Sequence, residues 1–159
     1  TGLMPSNGST SLLKLTNNAG VTLEGGLILA GLGKDAAVKV NGVWVDGSTF
    51  TMNGGEISGN TATAPVTATN GGYGGGVFVY QDGVFIMNGG TIYGYDSADS
   101  DNSNMIRNKE GNVILSGRGH AVCAIDWNTD PNSYYIKDTT VTGNVFYNDP
   151  ATGEHSGWD

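Results

Sequence analysis

Apolar side chains in this chain alternate with polar ones in short runs, and the runs recur. The segment Phe50-Thr51-Met52-Asn53-Gly54-Gly55-Glu56-Ile57-Ser58-Gly59 returns as Phe85-Ile86-Met87-Asn88-Gly89-Gly90-Thr91-Ile92-Tyr93-Gly94. A weaker copy, Val21–Ala30, precedes them, and a degenerate one, Tyr134–Gly143, follows. The copies start at 21, 50, 85 and 134, which lie 29, 35 and 49 residues apart. A motif that persists while its spacing widens places the additional residues in loops.

Five columns align when the preceding run is included: Leu13, Val43, Val77 and Val122; Leu15, Val45, Val79 and Ala124; Val21, Phe50, Phe85 and Tyr134; Leu23, Met52, Met87 and Ile136; Ile28, Ile57, Ile92 and Val141. The residues between them alternate out of the set with period two, the mark of strands with one buried face. No sustained helical stripe exists, and Thr, Val, Asn and Gly abound where helix propensity is poor. A hairpin would pair neighbours within a copy. Identical columns in successive copies instead imply like stacked on like, about 4.8 Å apart, as in parallel strands. Each copy then describes one turn of a solenoid, three short strands with a corner such as Asp46-Gly47 or Asp82-Gly83 between the first two and a Gly pair before the third. The Gly pairs supply positive φ at the corner. Asn53 and Asn88 fall at the same corner, either as a stacked amide ladder or as ordinary turn residues.

Composition narrows the classes further. Among 159 residues there are 27 Gly and 4 Pro without a three-residue period, which excludes collagen. A net charge of −8 and only two arginines, Arg107 and Arg118, argue against nucleic acid or an anionic membrane as partner. The lone Cys123 excludes an internal disulfide, and no Cys/His cluster has zinc-ligand spacing. No apolar run approaches the ~18–20 residues of a membrane span. Thr1-Gly2-Leu3-Met4-Pro5 lacks the basic start of a signal peptide, and the chain reads as part of something longer.

The Gly74–Val79 run, the Phe-x-Met-Asn-Gly-Gly-x-Ile core and the closing Gly59-Asn60 resemble the right-handed parallel β-helix repeats of large bacterial cell-surface and secreted proteins. The resemblance covers roughly Leu12 to Asn144, and the stretch from Gly90 to Val122 is similar to the way such arrays finish. It implies an all-β fold: a right-handed, single-stranded parallel β-helix of about four coils with long loops at one corner. One domain is expected over 1–159, with a lead-in at 1–11, coils over 12–144 and a cap or tail over 145–159. The implied role is structural and adhesive, without catalysis, at the bacterial surface or outside the cell, with a host or environmental surface as partner. The alternative is a carbohydrate-binding or carbohydrate-active module, of the lyase or hydrolase kind. The last copy departs from the pattern: Asp138-Thr139 replaces Gly-Gly, and Cys123 replaces an aromatic residue.

All insertions fall between the third strand of one copy and the first of the next, in Gly31–Gly42, Thr61–Gly75 and Tyr95–Gly119. The longest has the oxygen spacing of a calcium loop, with Asp99, Asp101 and Ser103 at positions 1, 3 and 5 and Glu110 at 12, although Asn104 stands where Gly is usual. Asp126–Asn132 has the first oxygens and then Lys137, and reads as a turn. Trp44 and Phe78, outward in one column, with Tyr80, Tyr93 and Tyr95 nearby, could form a platform for stacking sugars or simply stabilise the sheet face. An enzyme would have to draw on Asp96, Asp99, Asp101, Arg107, Arg118 and His120, all within one loop, which is a poor scaffold for positioned acid–base work. His120 reads better as a residue whose ring bonds the loop backbone as a strand begins, and Cys123 as a small covered residue. Open parallel edges at the first coil imply weak self-association through the N-terminal end, and Val145-Phe146-Tyr147 with Trp158 would cap the other end.

Overall fold

The computed structural model describes residues 11–26, 28–30, 41–63, 73–80, 83–108, 110–125, 134–143, 146–149 and 154–156. All regular structure among them is β. The first copy forms β1 (Ser11–Leu15), β2 (Gly20–Leu23) and β3 (Ile28–Ala30). The second forms β4 (Asn41–Asp46), β5 (Thr49–Met52), β6 (Glu56–Ser58) and β7 (Thr61–Thr63). The third forms β8 (Val77–Tyr80), β9 (Val84–Met87), β10 (Thr91–Ile92) and β11 (Met105–Arg107). After these come β12 (Val122–Ile125), β13 (Tyr134–Lys137), β14 (Val141–Thr142), β15 (Phe146–Asp149) and β16 (Glu154–Ser156).

Corresponding strands of successive copies pair in parallel, as the columns require. The order β1-β4-β8-β12 stacks Leu13 on Val43, Val43 on Val77 and Val77 on Val122. In β2-β5-β9, Val21, Phe50 and Phe85 lie in register, as do Leu23, Met52 and Met87. A further ladder joins β3, β6 and β10, and β7 pairs with β11. Inward residues of the first three ladders meet in one apolar core containing Val43, Val79, Phe50, Phe85, Ile57 and Ile92. The Phe50 and Phe85 rings stack 5.6 Å apart and 9° from parallel.

Two kinds of glycine permit this stacking. The second glycine of each Gly pair, Gly26, Gly55 and Gly90, has φ of 84°, 81° and 97°, a region that side chains disfavour. Gly76 sits so close to the neighbouring strand of its own ladder that a Cβ would lie 2.6 Å from the Ala121 carbonyl oxygen.

Three details correct the sequence alignment. In the first copy Leu29, not Ile28, stands opposite Ile57, because this copy has one more residue between its corner glycine and the inward position. The excursions at Thr61–Gly75 and Tyr95–Gly119 are not all loop, since each contributes a strand, β7 and β11. The fourth copy does not continue the parallel stack: Tyr134 and Ile136 lie opposite Ile125 and Cys123 in an antiparallel pair with β12, not above Phe85 and Met87. Tyr135 packs against the inner core while Ile136 packs on the outer face with Phe78 and Cys123. Val141 does reach Ile92, but antiparallel, and β9 is covered by antiparallel β15, itself paired with β16. β13 already runs against β12 before Asp138-Thr139, the pair that stands in place of Gly-Gly at the bend into β14, so the expected last coil is a cap whose strands run against the array.

Candidate functional site

Titratable side chains concentrate around the last excursion, between Tyr95 and His120. Its first part is closed by its own hydrogen bonds. The Ser103 hydroxyl bonds to the carbonyl oxygens of Asp96 (3.0 Å) and Asp99 (2.8 Å) and accepts from the Asp96 N–H (2.8 Å), while the Asn102 amide donates to both Asp99 carboxylate oxygens. Ser103 is buried, whereas Asp99, Asp101 and Glu110 are exposed. The four residues with calcium-loop spacing are therefore divided between an inward hydroxyl and outward carboxylates. Among the described residues no group of three or more His, Cys, Asp or Glu side chains is placed to hold a metal ion.

Asn104 follows Ser103 into the interior, where the β7–β11 register sets it beside Asn60. Asn60 donates to the Asn104 side-chain oxygen through its amide (2.8 Å) and its backbone N–H (3.1 Å). Asn104 in turn donates to the carbonyls of Ile57 (2.8 Å) and Tyr93 (2.6 Å). A second, exposed row marks the Gly-pair corner: Asn88 donates to Asn53 (2.9 Å), which donates to Glu24 (3.1 Å). The ladder reading of Asn53 and Asn88 is thus correct, and Glu24 supplies the terminal acceptor. The buried pair went unread because Asn60 and Asn104 are 44 residues apart and only the register of two unforeseen strands joins them.

After β11 the Gly111 N–H donates to the Asn108 carbonyl (3.0 Å), the Arg107 guanidinium donates to the Gly111 carbonyl (2.6 Å), and Val113 lies antiparallel to Arg107. Four successive amides, Gly117 to His120, then converge on Asp138, with donor distances of 2.5, 3.3, 2.8 and 3.1 Å. Consecutive N–H groups of this kind form an anion-binding nest, filled here by a carboxylate of the chain itself. Burial by itself would raise the Asp138 carboxyl, and the four donors outweigh it and hold the group below its ordinary value.

His120 is fully buried, with the Tyr95 ring 5.3 Å away. One ring nitrogen accepts from the Ile106 N–H (3.2 Å) and the other lies 2.6 Å from the Ile114 carbonyl, the pattern of a neutral ring with its proton on Nε2. Burial pushes its pKa down, while the Asp138 charge and the neighbouring carbonyls pull the other way. The reading of His120 as a loop-bonding residue is correct. Cys123 is buried beneath Phe78 and Ile136, and burial pushes its thiol far up, the condition of an unreactive sulfur.

The aromatic residues divide as well. Tyr73 lies 6.5 Å from Phe78, Phe78 lies 5.9 Å from Tyr80, and the Arg118 guanidinium sits 4.7 Å over the Tyr73 ring. Phe78 is largely covered, with Tyr73 and Tyr80 half-buried at its sides. Tyr93 and Tyr95 follow β10 on a different ladder, Tyr95 against His120. Trp44 pairs with Phe78 through its backbone, and its side chain lies outside the described residues. Also outside them are residues 1–10, Asp126–Asn132, Val145 and Trp158, together with the side chains of Phe146 and Tyr147. Among the described residues no helix is long and apolar enough to cross a membrane.

Comparison with protein-family models, with curated proteins and with solved structures gave no match.

Proposed function

We propose that the chain is a right-handed parallel β-helix segment of an extracellular bacterial surface protein, with a structural and adhesive role. The observation that carries this reading is the in-register stacking of like residues through three successive copies over one core. A repeat built this way gives a stiff element whose buried columns are constrained and whose excursions are free to vary, the division of labour usual in repeat proteins that bind through one face. The placement of the titratable groups favours a non-catalytic role. His120 is buried with both ring nitrogens engaged, and the carboxylates of Asp96, Asp99 and Asp101 are exposed within one short stretch. The parallel edges of the first copy make weak self-association through that end part of the proposal.

Carbohydrate binding is the second reading, favoured by the row Tyr73, Phe78 and Tyr80 with Arg118 at its end. A glycan array with the parent protein and with Trp44→Ala and Tyr80→Ala tests it: binding lost in both variants assigns a sugar ligand to this face. Incubation with a panel of acidic and neutral polysaccharides tests the non-catalytic role. No new reducing or unsaturated ends are expected, and their release would replace the structural reading with a carbohydrate-active one.

A further inference from the structure

One short segment closes every edge at the C-terminal end of the three ladders. Between residues 134 and 149, β13 takes the edge of β12, β14 that of β10 and β15 that of β9, all antiparallel. The array itself visits these ladders in the order β8, β9, β10, and the cap visits them in the opposite sense. Asp138 sits at the first bend of this cap, between β13 and β14, with its carboxylate in the Gly117–His120 nest. Next to it the Tyr95 N–H donates to the Asp138 carbonyl (3.1 Å), and the Gly94 N–H donates to the Thr140 hydroxyl (3.0 Å).

We propose that Asp138 is an acid-released latch, holding the bend of the reversed cap on the array while ionised and letting it go when protonated. The chemistry of the nest gives the reason. Among the described residues the carboxylate's hydrogen-bond partners are four N–H donors, so a neutral carboxyl would turn an O–H toward donors and lose the charge that makes such bonds strong. The charged and titratable groups around it are Arg118 and His120 on the nest, Cys123 on β12, Tyr95 beside the bend, and Lys137, adjacent on β13. Cys123, its thiol pushed far up, stays neutral. Burial disfavours the charge of His120, whose own backbone N–H is one of the four donors. Protonation of the carboxyl is the step that empties the nest. Release bares the strand edges of β12 and β10, which are templates for pairing with another strand.

Hydrogen exchange followed from neutral pH to about pH 3, with rates corrected for intrinsic chemistry, tests the latch. The amides of 117–120 and 134–142 should lose protection by up to about tenfold per pH unit as pH falls from the ordinary carboxyl value of 3.8 toward the lower folded value, while those of β5 and β9 keep theirs. Asp138→Asn should expose the same amides already at neutral pH and remove the acid step. His120→Gln should keep that step, which separates the carboxyl from the imidazole. Loss of protection at 117–120 only together with β5 and β9 would overturn the proposal, as would an acid step that survives in Asp138→Asn or vanishes in His120→Gln. Should the Asn variant fail to fold, the order of exchange in the parent protein decides alone.

Discussion

At the residue scale, the interior is held by columns whose members are unequal. Phe85 is the terminal ring of the aromatic stack, fully buried, and its neighbour Ile86 is partly exposed on the other face. Phe85→Ala should cost ~3–5 kcal/mol and Ile86→Ala much less; equal losses in urea melts would contradict the register. The exposed amide row is the weaker device. Asn53→Asp would set a carboxylate against Glu24 and remove the donor between them, so it should cost more than Asn53→Ser, on the order of 1 kcal/mol, and the excess should shrink in high salt. His120 governs the first acid response. Its pKa lies below the ordinary 6.5 in the folded chain, so the unfolded chain binds more protons as pH falls through that value and stability declines from there toward the folded pKa. The Asp138 contribution is full above the ordinary 3.8 and is lost as pH falls toward its lower folded value. Thermal melts should therefore fall in two acid steps, and His120→Gln, less stable at neutral pH, should lack the upper one.

At the scale of elements, the reversed cap is what the periodic pattern hides. Alternation in Tyr134–Lys137 correctly marks a strand, yet alternation has no direction, and a strand with two usable faces satisfies it either way round. β13 turns back along β12, and the bend that follows it lacks the two-glycine corner the parallel path uses and is held by Asp138, which finds four donors at Gly117–His120. Deleting 134–159 would leave the edges of β9, β10 and β12 without their antiparallel partners. The truncated chain should sediment as concentration-dependent oligomers where the full chain does not associate through that end. Gly76→Ala tests the opposite face of the same ladder: a methyl group there meets the Ala121 carbonyl, and a large loss of stability or of folding is expected.

For the whole molecule, one core spans three ladders and three copies, so no copy has a core of its own to keep when its neighbour opens. Urea unfolding monitored by fluorescence and by circular dichroism should give coincident transitions; two separated steps would mean that the copies hold independently. Strand periodicity, the in-register columns from Leu13 to Val122, the parallel pairing of successive copies, the Asn53–Asn88 row and the inward role of His120 all follow from local pattern and repetition. Those signals reside in neighbouring residues or in like positions of successive copies, which is why the chain's order of residues is enough to read them. The antiparallel cap, the strands β7 and β11 within supposed loops, the one-residue shift at Leu29 and the separation of Tyr93 and Tyr95 from Phe78 required the folded structure. Each depends on a contact between segments unlike in sequence, Asp138 with Gly117–His120 and Asn104 with Asn60 among them. Such contacts are chosen by which donors, acceptors and strand edges are still unpaired once the array has formed, and that is settled only in three dimensions.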